Sequence, residues 1–73
     1  MKLLKEYLRL KEYSDAWVRV YTYNNLGKKV FLFGNKAKVL NLTLGFTFLD
    51  CDVSNANIEF DEIDIIINYR GEE

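Results

Sequence analysis

The sequence contains no histidine, and one cysteine and two serines are its few nucleophile candidates. Histidine is the commonest general base, and a hydroxyl or thiol nucleophile needs such a base beside it. Chemistry of the catalytic-triad kind is therefore nearly excluded. A pair of carboxylates could act alone, as in glycosidases, but a chain of 73 residues has little room for the pocket required. We expect a protein that is not an enzyme.

The sequence also lacks the residues expected for a disulfide, a zinc site or a membrane span. The single Cys51 cannot form a disulfide within the chain, and the usual zinc ligand sets need histidine or more cysteines. No apolar run approaches the roughly 18 residues of a membrane span, and charges lie within the first turns of the chain. We expect a cytoplasmic protein with no cofactor. Acids on both sides of Cys51 should raise its pKa, which indicates a partly buried filler rather than a reactive thiolate.

The stretch from Asp50 to Asp61 resembles a calcium loop in having oxygens at its first, third, fifth and twelfth positions. Its sixth position is Asn55, where such a loop needs glycine, and its twelfth is Asp61 rather than the longer glutamate. Strand-like sequence replaces the flanking helices. We therefore interpret these acids as solvated loop residues and expect no metal.

Net charge is only −1, but the charges are divided unevenly along the chain. Residues 1–36 carry eight basic and three acidic residues, and residues 37–73 carry two and eight, giving +5 against −6. Such asymmetry favours association through complementary fields, either between copies or with a partner. The alternative is that the charges lie on solvated faces and cancel across the fold.

The composition predicts one folded domain spanning residues 1–73. Apolar residues make up 49% and aromatic residues 15%, which places the chain well away from the composition of disordered proteins. A chain of this size buries only just enough surface to fold, and self-association is one way to stabilise it.

Periodicity predicts an N-terminal helix over residues 2–13, ended by Ser14-Asp15. Residues 16–23 alternate with period two, so they predict a strand with Ala16, Val18, Val20 and Thr22 on one face. The turn residues 24–27 and a second strand over 28–33, closed by Gly34-Asn35, complete a hairpin.

Residues 36–44 fit either a strand or a short helix, and we favour a helix that Asn35 caps and a left-handed Gly45 ends. A third strand is expected within residues 46–53. Residues 58–60 and 63–69 predict a closing hairpin. The apolar run Ile65-Ile66-Ile67 indicates that the last strand is central, since it suits a strand covered on both sides.

These elements predict an α+β fold in the order α-β-β-α-β-β, with the first helix packed on an antiparallel sheet. The alternative is a small, strongly bent β-barrel with an N-terminal helix.

Two surfaces are candidate binding sites. The first is an acidic face that could imitate the phosphate charges of nucleic acid, formed by Asp50, Asp52, Glu59, Asp61, Glu62 and Asp64. The second is an aromatic and basic face on the first hairpin, formed by Trp17, Arg19, Tyr21, Tyr23, Lys28 and Lys29. The second has the composition of a base-stacking platform or of a protein-binding hot spot. Alternatively, a helix covers these aromatics and makes them core.

Four stretches together resemble small proteins encoded by phages and prophages of low-GC bacteria. They are Leu3-Leu4-Lys5-Glu6-Tyr7-Leu8, Asp15-Ala16-Trp17-Val18-Arg19-Val20-Tyr21, Val30-Phe31-Leu32-Phe33-Gly34 and Ile63-Asp64-Ile65-Ile66-Ile67-Asn68-Tyr69. The resemblance implies an accessory protein of a mobile element, a class that includes inhibitors of bacterial defence such as anti-CRISPR proteins. It assigns no function to any single residue.

Together these observations predict a non-enzymatic binding protein, an inhibitor that docks on a host defence nuclease or complex. One alternative is a single-stranded nucleic-acid-binding protein that uses the aromatic face, although a pI of about 5.4 gives no general attraction to phosphate. The other is a self-assembling structural component, which would make the chain a homo-oligomer.

Overall fold

The computed structural model describes residues 2–69 and shows the predicted α+β fold. A short helix precedes two β-hairpins, and a helical segment joins the hairpins, so the order α-ββ-α-ββ is confirmed. The elements are α1 (Leu4–Leu8), a 3-10 turn (Lys11–Tyr13), β1 (Trp17–Tyr23), β2 (Lys29–Lys36), α2 (Ala37–Thr43), α3 (Phe46–Leu49), β3 (Val53–Ile58) and β4 (Glu62–Ile67).

The four strands form one mixed sheet in the order β2-β1-β4-β3. Each hairpin pairs antiparallel, but the central strands β1 and β4 run parallel. The prediction of an antiparallel sheet is therefore wrong at the centre, and the sheet does not close into the alternative barrel. Parallel strands need a crossover of about a dozen residues or more, and residues 37–52 between β2 and β3 supply it.

The core lies between the helices and one face of the sheet. Alternate residues of the central strands point into it, and the helices contribute a smaller number of leucines and one alanine. The buried set is Leu4, Leu8, Ala16, Val18, Val20, Thr22, Ala37, Leu40, Leu49, Ile63, Ile65 and Ile67. The predicted grouping of Ala16, Val18, Val20 and Thr22 on one face of β1 is confirmed, and so is the central position of the last strand. The expectation that this strand is covered on both sides is wrong, because only Ile63, Ile65 and Ile67 are buried. No described residue covers the opposite side of the sheet, which we call the open face.

The first helix ends at Leu8, well before the predicted end at residue 13. Leu10 is extended, with φ −69° and ψ 123°, and a 3-10 turn follows. No glycine or proline marks the end of the helix in the sequence, and the apolar spacing continues to Leu10. The sequence pattern therefore could not show where the helix ends. The chain has to turn back here to enter β1, and Arg9 Nε donates a hydrogen bond to Asn41 Oδ1 of α2 at 3.1 Å.

The second strand and the helix after it differ from prediction at their boundaries. β2 continues through Gly34 and Asn35, which the sequence suggests as its end, because both residues pair with β1. Helix α2 is confirmed, but Lys36 is its N-cap residue and Asn35 Oδ1 accepts only from the backbone N–H of Lys36. Gly45 has φ −83°, so it is not left-handed and instead precedes α3.

The prediction of a third strand within residues 46–53 is wrong for most of that range. Residues 46–49 form α3, with Leu49 buried and Phe46 exposed. β3 covers Val53–Ile58, so the prediction of a strand over residues 58–60 is wrong for residues 59 and 60, which lie in the turn of the closing hairpin. The sequence of β3 is rich in asparagine and serine and has little β-propensity of its own. Pairing with the strongly apolar β4 imposes its extended conformation.

Candidate binding face of the sheet

The open face carries the side chains that alternate with the core residues. The registers of the three strand pairs place them in rows that cross the sheet. The members are Trp17, Arg19, Tyr21 and Tyr23 of β1, Lys29, Phe31, Gly34 and Lys36 of β2, Glu62, Asp64 and Ile66 of β4, and Asn55 and Asn57 of β3. This mixture of rings, charges and amides is unlike the aliphatic core behind it.

Aromatic side chains dominate the β1 and β2 half of the face. Trp17 is 44% exposed, Tyr23 is 54% exposed and Phe31 is 55% exposed, so no described element covers them. The rings of Tyr21 and Phe31 meet edge to face with their centroids 5.5 Å apart. Lys29 Nζ lies 4.7 Å from the centre of the Tyr21 ring, which is within cation–π range. The Tyr21 ring therefore lies in contact with both Phe31 and Lys29.

Gly34 leaves space for the Phe31 ring. A methyl group at this position would lie 3.4 Å from Phe31 Cζ and 3.3 Å from the Val18 carbonyl oxygen. The tighter of the two contacts is the one to the Val18 carbonyl oxygen, whereas the ring would be in van der Waals contact with the methyl group. The Phe31 ring therefore lies over the space that a side chain at position 34 would occupy.

Arg19 is the polar centre of the open face. Its Nε donates to Asp64 Oδ1 at 2.8 Å, and its second guanidinium nitrogen lies 3.0 Å from Glu62 Oε1. The hydrogen bond and charge of Asp64 raise the pKa of Arg19, a side chain that is charged at any ordinary pH. Two carboxylates share one cation, which leaves this part of the face with an excess of negative charge.

The aromatic and basic set that the sequence predicts is brought together by the structure. Trp17, Arg19, Tyr21 and Tyr23 lie on one face, and Lys29 lies beside them on β2. Lys28 lies in the turn between the strands and is exposed. The aromatics are not part of the core, so the interpretation that a helix covers them is wrong.

The acidic set is divided among four places. Asp50 follows α3 and pairs with Lys5 at 3.0 Å, whereas Asp52 bridges to Leu3 at the start of β3. Glu59 and Asp61 lie in the turn before β4. Glu62 and Asp64 are on the open face and are bound to Arg19, as described above. The structure therefore does not gather the six acids into one surface.

Several members of the open face escape sequence reasoning. Phe31 directly opposes Tyr21, but a β-bulge at Leu32 shifts the register of β2, so counting back from the turn misplaces the later residues. From the sequence alone, Ile66 would be assigned to the core because it lies in an apolar run, and Asn55 and Asn57 would be assigned to a loop. Only the pairing of β3 with β4 places these two amides on the face.

Other places in the structure have fewer features of a binding site than the open face. One is a shallow polar depression between the 3-10 turn and the β3–β4 turn, beside Tyr13, Asp15 and the fully exposed Phe60. Within residues 2–69 no group of three or more possible metal ligands comes together. Cys51 donates to the Thr47 carbonyl oxygen at 3.0 Å, and burial, followed by the charges of Asp52 and Asp50, raises its pKa.

No helix in the described part of the chain is long and apolar enough to cross a membrane. No protein-family model matches the chain, and no curated protein or solved structure matches it either. The assignment of the open face as a candidate binding site therefore depends on its geometry alone.

Proposed function

We propose that this chain is a non-enzymatic binding protein that docks on a protein partner through the open face of its sheet. The observation that carries the proposal is the group of exposed rings of Trp17, Tyr23 and Phe31, with the half-buried Tyr21 among them, on a face that no described element covers. Exposed patches of large side chains on a small protein commonly mark interaction surfaces. Tryptophan, tyrosine and arginine are also the residues most enriched in binding hot spots.

The contacts among the side chains of the open face support this proposal. Arg19 is held by two carboxylates, and Tyr21 is held between Phe31 and Lys29. Side chains that are already fixed lose little conformational entropy when they bind, and that cost is a main limit on affinity. The strand backbone beneath them adds further order.

A protein partner explains the face better than nucleic acid does. The Tyr21 ring is already engaged by Lys29 and Phe31, so a base would have to displace them in order to stack. Glu62 and Asp64 lie on the same face and would repel phosphates. The exposed rings of Trp17 and Phe31 beside lysines still favour single-stranded nucleic acid as the second candidate.

The sequence resemblance extends this proposal to a particular kind of partner. In that extension the chain is a mobile-element inhibitor, and the open face blocks a host defence nuclease by occupying one of its working surfaces. The absence of histidine from the sequence fits a protein that acts by binding and not by catalysis. The scattered acidic residues make imitation of nucleic acid the weaker route to inhibition.

Capture of partners tests the proposal. The tagged chain is incubated with nuclease-treated lysate of a low-GC bacterium, and the same is done with W17A/F31A and with L42A. Leu42 is 83% exposed on α2, so its variant is the matched control away from the open face. We expect a near-stoichiometric partner with the wild type and L42A. Truncating two hot-spot rings should weaken its capture by at least about 30-fold.

A captured nuclease is then purified and assayed with each variant. Inhibition by the wild type and L42A, but not by W17A/F31A, supports the inhibitor role. Equal capture by W17A/F31A and the wild type contradicts docking through the open face. Loss of capture with L42A alone would move the contact to the helical side.

A further inference from the structure

Charge changes sign across the open face, from one edge of the sheet towards the other. Lys29 and Lys36 lie on the edge strand β2, and within residues 2–69 neither has an ion-pair partner. Glu62 and Asp64 lie on β4, where Arg19 neutralises one of their two charges. The β2 side is therefore positive and the β4 side is negative, and the sheet contains no further charges that would balance each side separately.

A surface that is positive on one side and negative on the other can be complementary in charge to a second copy of itself. Closed dimers have a two-fold axis that brings the same patch of both subunits together. When two such faces stack about an axis parallel to the strands, β2 of one copy lies over β3 and beside β4 of the other. This rotation keeps each row of side chains over the same row of the other copy, so Lys36 lies in the row of the other copy's Glu62. Phe31 and Gly34 lie opposite the amides of Asn55 and Asn57, and Lys29 lies one row beyond Asn55. An axis perpendicular to the strands would instead stack lysines on lysines.

The centre of the face suits the same arrangement. Under the axis parallel to the strands, β1 lies over β4 of the second copy, because these strands flank the middle of the sheet. The half-buried Tyr21 then covers the half-buried Ile66 of the other copy, and each Arg19 approaches a second Asp64. Apolar side chains are thus enclosed by charges of alternating sign.

We propose that the occupant of the open face is a second copy of this chain, stacked about a two-fold axis parallel to the strands. The inference rests on the proposed function, because it assigns the same face, and the second copy occupies that face when no other protein is bound to it. Four strands spaced about 4.8 Å apart, with about six residues of about 3.3 Å each, give a face of about 400 Å² per copy. Stable interfaces bury about 800 Å² per partner, so the dimer is weak and a different protein that uses the face competes with it.

Sedimentation equilibrium over protein concentrations from about 5 to about 500 µM tests the inference, because weak dimers dissociate in this range. The variants are K29E/K36E, which reverses the charge of the β2 side, and N55K/N57K, which adds positive charge to β3. Each brings like charges together, so each should weaken self-association by about tenfold or more. An equimolar mixture of the two should associate again, because glutamates on β2 of one chain then lie one row away from lysines on β3 of the other. L42A is the control and should associate like the wild type.

Other results overturn the inference. A wild-type chain that stays monomeric throughout the range, yet still captures a different protein through Trp17 and Phe31, refutes the second copy and leaves the proposed function standing. A monomer that captures nothing contradicts both. Stronger association of K29E/K36E with the wild type than of the wild type with itself would indicate the axis perpendicular to the strands. Quenching of Trp17 fluorescence by oligothymidylate, with no self-association, would assign the face to single-stranded nucleic acid.

Discussion

Thr22 is the one buried polar side chain among the described residues. Its hydroxyl donates to the Ile67 carbonyl oxygen at 2.9 Å, so it links the central strands β1 and β4 inside the core. Ser54 makes a comparable bond to the Ile66 carbonyl oxygen at 3.2 Å, but it is exposed on β3. The two hydroxyls therefore separate the effect of burial from the effect of the hydrogen bond.

Replacing Thr22 with valine keeps its shape and removes its donor. The Ile67 carbonyl then stays buried without that hydrogen bond, which should lower the free energy of unfolding by about 1–2 kcal/mol. Ser54→Ala is the matched control, and water can replace its bond, so we expect less than about 0.5 kcal/mol. Urea unfolding measures both. Equal losses of unfolding free energy in the two variants would mean that burial does not make the Thr22 hydrogen bond more stabilising than the exposed Ser54 bond.

Gly34→Ala tests whether the glycine determines the position of Phe31. The added methyl group would lie 3.3 Å from the Val18 carbonyl oxygen, which belongs to the backbone and cannot easily move. Overpacking of this kind commonly costs about 1–3 kcal/mol. Gly45→Ala is the control, since no atom lies within 4 Å of its methyl position.

We expect the Gly45 variant to unfold within about 0.5 kcal/mol of the wild type. The Gly34 variant should also change the near-ultraviolet circular dichroism of the Tyr21 and Phe31 pair, because the strain at the Val18 carbonyl is relieved by a shift of β2, which carries Phe31. An unchanged aromatic spectrum together with unchanged stability would show that β2 accommodates a side chain there.

At the scale of elements, one exposed ion pair joins the entrance of β1 to α2. Asp15 Oδ1 lies 2.8 Å from Lys38 Nζ. The hydrogen bond and charge of Lys38 lower the pKa of Asp15 below its ordinary value of 3.8. A carboxyl group whose pKa is lowered by folding stabilises the fold above its unfolded pKa, and the effect is lost as pH falls through the folded value.

Asp15→Asn should therefore lower the melting temperature slightly at neutral pH and not at all in strong acid. The two melting curves should approach each other as the pH falls below 3.8. Thermal unfolding from neutral to acid pH measures the difference, and Asp61→Asn is the control on another exposed acid. A constant difference at every pH would show that the effect of the substitution is not electrostatic.

Some elements could be predicted from the sequence because local signals coincide there. β1 alternates strictly, and the following turn contains Gly27, which adopts φ 78°. α1 and β3 could not be predicted with correct bounds, because the signals that end α1 and extend β3 come from distant contacts. The register shift at the bulge in β2 has the same origin.

At the scale of the whole molecule, the candidate site could be predicted only in part. Trp17, Arg19, Tyr21 and Tyr23 lie on one face of β1 in any strand, because strand side chains alternate. Their common face could therefore be predicted from the sequence, and it is open because the helices pack on the other side of the sheet. The distribution of the acids depends on the parallel pairing of β1 with β4, which brings Asp64 to Arg19. No local pattern encodes that pairing.

The same parallel pairing has a consequence for how the chain reaches its fold. Each hairpin joins neighbours along the chain, whereas the contact of Arg19 with Asp64 spans 45 residues. Folding slows as contacts become less local, because the loop has to close before the contact forms. The rate-limiting step should therefore be the meeting of two half-sheets at one central seam. A chain cut within the crossover between β2 and β3 would give two hairpins, each marginal alone, that fold only when mixed.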